Sequence, residues 1–405
     1  MNDAKAPDAI RVPYGMTVHG DEEIAAVDHV LRTSTQMGIH VREFEEKVAS
    51  LFEKKHGIMV NSGSSALFLA AEILSLPPGS EVITPALTFA TTVSCLVKNG
   101  LVPAFVDVKE GTYCIDPDKV QAMITPKTRA MCIPNLIGNV CDWERLGTIA
   151  KKHGLKVIED SADTLGGTLN GRSSGHWSDI SITSFYGSHV INCAGNGGML
   201  CVNSDELARR AKLLRSWGRS SSLFVESEAV ENRFAIQVDG VDYDAKFVFE
   251  AMGYNLEPSE LGAAFGLVQL RKLKDNIDAR IRNFERQLEF FRQYAEWFIL
   301  PRQTPTSYTG WLAFPLTLLP GTPFARKELQ IFLERRNVQT RVVFAGNIVR
   351  QPGFKDMPKR VAAEGYPEAD KVMQGGILLA CHHGLTPQQL QHMHRTFEAF
   401  ARSYR

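Results

Sequence analysis

The sequence predicts an α/β fold with a largely parallel, covered sheet, followed by a smaller α+β unit. Three observations carry this prediction. Short apolar runs recur between residues 57 and 202, stretches of helical spacing separate them, and after Asn255 the alternation gives way to one long charged helix. A parallel sheet requires crossover helices, which bury both of its faces, so its strands read as continuous apolar runs.

The first element, from about Asp21 to Phe52, has helical spacing, and Asp21, Glu22 and Glu23 suit a first turn, where acids meet the positive end of the helix dipole. Gly57-Ile58-Met59-Val60 reads as a strand entering Asn61-Ser62-Gly63-Ser64-Ser65. Ala66 to Leu76 then reads as a helix ended by Pro77-Pro78-Gly79. Further strands are expected at Glu81–Thr84, Val102–Val106, Ala130–Pro134 and Val157–Ile158, with Asp179–Phe185 and Gly198–Val202 extending the same sheet. Ser220 to Lys246 has weak periodicity and predicts a long loop or small hairpin, a length often tied to function. A long helix over roughly Ser259–Phe298 should lead into the α+β unit beginning near Trp311. No repeat or low-complexity linker intervenes, so two fused units, 12–258 and 259–405, are expected.

Composition narrows the function classes. The 405 residues carry 45 basic and 45 acidic side chains, without the cationic excess that phosphate-backbone binding requires, so nucleic acid is not an expected partner. Arg209, Arg210, Lys212 and Arg215 lie at helical spacing and predict a solvated helix face. The first eleven residues lack the apolar core of a signal peptide, and no window approaches the roughly 18 apolar residues of a membrane span. A cytoplasmic protein is expected, with no membrane partner. Seven widely spaced cysteines without a C-x-x-C pair predict reduced, mostly buried thiols rather than a disulfide frame or a metal site.

Three segments carry candidate chemistry. Asn61-Ser62-Gly63-Ser64-Ser65 sits between a strand and a helix, where a glycine admits close backbone approach and the helix N-terminus can receive a phosphate; a plain N-cap is the simpler reading. Val157-Ile158-Glu159-Asp160 places two acids at the carboxyl edge of a parallel sheet, where ligands sit in such folds, although a loop acid would look the same. The third is Ser184-Phe185-Tyr186-Gly187-Ser188-His189, followed by Gly195-Asn196-Gly197-Gly198.

Taken in order with Thr84-Pro85-Ala86, Thr88-Phe89-Ala90-Thr91-Thr92 and Gly253-Tyr254-Asn255, these segments resemble the DegT/StrS family of sugar aminotransferases over about Val12 to Leu385. The resemblance implies the fold of aspartate aminotransferase (fold type I), with a mostly parallel seven-stranded sheet, and pyridoxal 5'-phosphate or pyridoxamine 5'-phosphate as cofactor. By that resemblance Gly63, Ser64 and Ser184 are phosphate ligands, Phe89 stacks on the cofactor ring and Asp160 pairs with the pyridine nitrogen. Asn255 would reach the phosphate of a neighbouring subunit, which implies a homodimer.

The family carries its Schiff-base lysine where this chain has His189, and no lysine occurs between Lys156 and Lys212. Imidazole cannot tether an aldehyde stably but moves protons near neutral pH. This substitution is similar to that of the family's 3-dehydratases, and it implies removal of the C-3 hydroxyl from a nucleotide-linked 4-keto-6-deoxy sugar with His189 as acid and base. Thr340-Arg341-Val342-Val343-Phe344-Ala345-Gly346-Asn347 resembles the branch that holds a two-iron cluster and takes electrons from a reductase. That branch places its cluster cysteines after Trp217-Gly218-Arg219, where this chain has Ser220-Ser221-Ser222-Leu223, and no cysteine occurs between Cys201 and Cys381. No iron-sulfur cluster is therefore expected, and either glutamate, as in the cluster-free branch, or a reductase would supply reducing equivalents. Arg341 and Asn347 are assigned to the sugar or its diphosphate, with a surface salt bridge as the alternative for the arginine. Asn196 and Val190 depart from the acid and the second histidine usual at those positions, and His382 and His383 are read as structural. The competing functions are a conventional sugar aminotransferase and a non-catalytic binding or regulatory protein on the same fold.

Overall fold

The apolar runs become seven strands of one sheet. In the computed structural model, which describes residues 10–225 and 228–404, these are β1 (His56–Val60), β2 (Glu81–Pro85), β3 (Val102–Val106), β4 (Thr128–Pro134), β5 (Lys156–Asp160), β6 (Ile180–Ser184) and β7 (Gly198–Val202). Their order is β1-β7-β6-β5-β4-β2-β3. Strands β3, β2, β4, β5 and β6 pair in parallel, and only β7 runs antiparallel, between β6 and β1. Every residue of β2, β6 and β7 is buried, as a sheet covered on both faces requires. The ends of β1, β4, β5 and β6 and the start of β7 therefore meet at one edge. Gly198, paired with both Val60 and Ser184, begins β7 so close to the turn after β1 that a Cβ would lie 2.2 Å from the Ser62 carbonyl oxygen.

Two expected helices are each divided. The stretch from Asp21 to Phe52 is two helices, Asp21–Thr33 and Ile39–Leu51. Between them the buried Glu260 carboxylate accepts the amides of Gly38 and His40 at 2.7 and 2.8 Å, so a distant acid satisfies donors the helix start leaves open. The stretch from Ser259 is likewise Glu260–Arg271 and Leu273–Phe291, joined at Lys272, and it ends before Phe298, which belongs to a strand. Within Ser220–Lys246, Ile236–Val238 and Val241–Tyr243 form a hairpin around Asp239-Gly240, both at positive φ, the geometry for which Asp-Gly is suited. Arg215 corrects the expectation of a solvated basic face: it is buried and its Nη1 donates to Glu45 at 2.7 Å and to the Met59 carbonyl at 3.0 Å.

A second, antiparallel sheet of β8 (Phe298–Ile299), β9 (Ala313–Leu318) and β10 (Gly376–Ala380) is packed with the helices Arg326–Glu334, Pro367–Gly375 and Pro387–Ala401 around Phe291, Phe314 and Phe397. The N-terminal segment lies here too, because Val12 exchanges backbone hydrogen bonds with Asn337 and Gln339. No helix among the described residues is long and apolar enough to cross a membrane. All seven cysteines are buried thiols.

His394 stacks on Phe290, ring centroids 3.9 Å apart, and burial draws its imidazole down to about 4. A depressed histidine contributes stability that is present above its unfolded pKa near 6.5 and lost as pH falls through the folded value, because the unfolded chain then binds the extra proton. His394→Phe keeps the stacked ring and removes this loss. Its stability relative to the parent should rise by up to about 2 kcal/mol between pH 7.5 and pH 5, measured by urea denaturation at both pH values.

Candidate active site

The edge where the strand ends meet opens into a cleft of about 370 Å³. At one side of it the helix Gly63–Ile73 begins, capped by Ser62, whose Oγ accepts from the Ser65 amide at 3.1 Å. Gly63 and Ser64 line the cleft beside Ser184 from the end of β6. A Cβ on Gly63 would stand 2.6 Å from the Ser184 Cβ, so only glycine lets the helix terminus and the strand end approach this closely. Gly63→Ala should cost about 1–3 kcal/mol of stability through overpacking, read by thermal unfolding.

The two acids ending β5 part company, because successive side chains of a strand leave opposite faces. Asp160 lines the cleft, and its carboxylate accepts from Thr92 Oγ1 at 2.9 Å and from the Ala162 amide at 3.2 Å. Burial pushes Asp160 up to about 6 against those hydrogen bonds. Glu159 instead enters a buried network with Ser161, Ser181 and Asn135. Phe89, immediately before the helix Ala90–Lys98 that carries Thr92, leaves an exposed ring at the cleft wall.

His189 lies in the same cleft with its side chain 14% exposed. Its Nδ1 faces the Ser184 carbonyl at 3.0 Å. A carbonyl only accepts, so Nδ1 bears the hydrogen and Nε2 of the neutral ring is left as the base. Burial, with the nearby Arg280 charge, draws the imidazole down to about 4. Nε2 stands 3.8 Å from the Asp163 carboxyl, which burial and the Asp160 charge push up to about 7. Near neutral pH the pair therefore offers one lone pair to take a proton and one carboxyl able to release one.

The other expected positions are not all gathered in the cleft. Asn255 stands outside its lining, with Oδ1 accepting from the Glu257 amide at 3.4 Å. Arg341 is exposed, lies outside the cleft's lining and forms no salt bridge among the described residues; its guanidinium lies 5.3 Å from the Tyr14 ring, which does line the cleft. Asn347 is buried and occupied elsewhere: Nδ2 donates to Asp370 at 2.7 Å and Oδ1 accepts from the Val349 amide at 3.1 Å. From that segment Phe344 reaches the cleft instead. Val190 packs in an apolar cluster with Phe185 and Met199, whereas Asn196 lines the cleft. His382 is buried with Nε2 3.0 Å from the Pro13 carbonyl, a structural contact. Sequence reasoning missed Tyr14, Asn135, Asp163 and Phe344. For Asp163 the signal was available, an acid three residues beyond Asp160 in the same turn; Tyr14 is delivered by a contact across the whole chain and left none.

Residues 18–398 match the DegT/DnrJ/EryC1/StrS aminotransferase family. The chain belongs to this family. Among its relatives in the family, dTDP-4-dehydro-2,6-dideoxy-D-glucose 3-dehydratase of Saccharopolyspora spinosa is 36% identical over 402 residues, covering 96% of this chain and 86% of the relative. The lipopolysaccharide biosynthesis protein RfbH of Salmonella typhimurium is 35% identical over 368 residues, covering 88% and 84%. The solved structure of E. coli GDP-4-keto-6-deoxy-D-mannose-3-dehydratase with bound hydrated PLP is 25% identical, with a TM-score of 0.87 over 96% of this chain and 99% of that one.

Proposed function

We propose that this family member is a nucleotide-sugar 3-dehydratase dependent on pyridoxamine or pyridoxal phosphate, in which His189 moves the proton. The observation that carries the reading is the fixed tautomer of His189 in a cleft whose lining includes no lysine. The residues fit the cofactor. The Gly63, Ser64 and Ser184 cradle, which a single Cβ would fill, suits its phosphate, the buried Asp160 carboxyl suits a pyridine nitrogen, and the exposed Phe89 ring suits its face.

When bound, pyridoxamine phosphate supplies an amine that condenses with the 4-keto carbon and a ring that accepts the electron pair of a broken C–H bond. Everything else falls to the protein. Eliminating a hydroxyl as water needs a base to take one proton and an acid to give one to the departing oxygen. Nε2 of His189 is the base, and Asp163, 3.8 Å away, holds the proton that can be delivered. Arg341, whose guanidinium lies beside Tyr14 of the cleft, contacts the diphosphate, and Asn255 of a second copy completes the phosphate site of a homodimer. With no cysteine near the segment after Trp217-Gly218-Arg219, a two-iron cluster has no thiolate ligands. We therefore assign restoration of the cofactor amine to an amino-acid donor such as glutamate rather than to a reductase.

The test is incubation with pyridoxamine phosphate and a panel of nucleotide-linked 4-keto-6-deoxyhexoses in isotopically labelled water, with mass spectrometry of the product. Loss of water is expected. Formation of an amino sugar would replace this reading with transamination, and failure to bind either cofactor would leave a non-catalytic protein.

A further inference from the structure

Arg280 is a charge without an obvious partner. It lies on the helix Leu273–Phe291, is 0% exposed, and forms no salt bridge among the described residues. Its guanidinium is spent on backbone carbonyls: Nη1 donates to Trp311 and Leu312 at 3.2 and 3.0 Å, and Nη2 to Ser188 and His189 at 3.3 and 3.2 Å. Gly310 makes room for its stem, since a Cβ there would stand 3.3 Å from the Arg280 Cδ. Burying a cation among neutral acceptors is costly, and neutral hydrogen-bonding side chains could satisfy carbonyls without that cost. The charge itself thus requires a reason.

We propose that Arg280 is the positioning residue of the proton shuttle: it clamps the backbone carrying His189 to the strand entry at Trp311-Leu312, and it keeps a buried positive charge beside that backbone. This rests on the reading of His189 as the base. The clamp joins the loop after β6 to Leu312, which itself lines the cleft, so one guanidinium sets both walls. Burial lowers the guanidinium only to about 10, and it stays charged at physiological pH. The groups facing this region are Asp160 at the end of β5 and Asp163 beyond it, Tyr14 with Arg341 beside it, and Cys381, His382 and His383 after β10. Asp163 is the acid whose charge Arg280 favours, so the same residue disfavours a proton on the base and steadies the anion left once the acid has given its proton up.

The experiment separates charge from clamp. Histidine-labelled protein without cofactor or substrate is titrated by NMR, following the His189 ring in the parent, Arg280→Met and Arg280→Lys. In Arg280→Met the His189 midpoint should rise, while burial still holds it below the ordinary imidazole value. In Arg280→Lys, which keeps the charge but cannot hold two pairs of carbonyls, the midpoint should stay low while kcat falls on the order of 100-fold with KM within about 2-fold. A folded Arg280→Met with an unmoved midpoint overturns the proposal. If that variant does not fold, the lysine variant decides alone: parental kcat overturns it, and the loss of kcat with the low midpoint kept supports it. The ring titration needs no turnover, so a protein that shows the midpoint shift but never releases water from any sugar would fault the dehydratase reading and leave the electrostatic role of Arg280 standing.

Discussion

If this family member is the proposed dehydratase, His189→Lys should abolish loss of water from the sugar and make the cofactor reducible onto the protein by borohydride. In the parent the half-buried imidazole donates through Nδ1 to the Ser184 carbonyl and leaves Nε2 as the basic nitrogen, 3.8 Å from Asp163. A lysine amine in the same place would be able to hold the cofactor aldehyde, and the acceptor at Ser184 would no longer fix which nitrogen is basic. Loss of a positioned general base costs about 10²–10⁴-fold in rate. The measurements are product mass, the absorption spectrum of the bound cofactor, and peptide mass after borohydride. Water release at the parental rate in His189→Lys would remove His189 from the mechanism.

Asp160→Asn should separate activity from stability in opposite directions. Asp160 is the only acid of the β5 pair that lines the cleft; if it faces the pyridine nitrogen as proposed, replacing its charge by an amide should lower kcat about 10²–10³-fold, the scale of removing one preorganised electrostatic group. Stability without cofactor should move the other way. Burial raises the Asp160 pKa from 3.8 to about 6. A raised acid contributes stability fully below its unfolded pKa and loses it as pH rises through the folded value, since the unfolded chain ionises first. The asparagine variant escapes that loss. Its advantage over the parent should grow between pH 4 and pH 7 to about 3 kcal/mol, measured by urea denaturation of cofactor-free protein. Equal stability at both pH values would mean that Asp160 is not buried as a costly acid. Such a cost is expected of a residue kept for chemistry rather than for folding.

How much could be read in advance depended on the range of the interaction involved. Strands β3 and β7 fall where the apolar runs placed them, Val102–Val106 and Gly198–Val202, because each run is closed by residues that stop a strand locally. The division of the first helical stretch was hidden, since its break is held by Glu260, more than two hundred residues away. Arg215 looked like a surface cation and is a buried one because Glu45 and the Met59 carbonyl are folded onto it. Asn347 carried a recognisable motif position, yet Asp370 occupies it and Phe344 takes the cleft.

Residue order alone established the sheet-and-helix alternation, the family motifs, and the presence of an imidazole in a stretch without lysine. These are properties of chain neighbours, written in spacing and side-chain type. Only the folded chain decided which acid of Glu159-Asp160 faces the cleft, which imidazole nitrogen is basic, and that Tyr14, Asp163 and Arg280 stand around it. Those outcomes follow from burial and from carbonyls and charges brought together across the sheet edge, and such forces act through space, where sequence distance has no bearing.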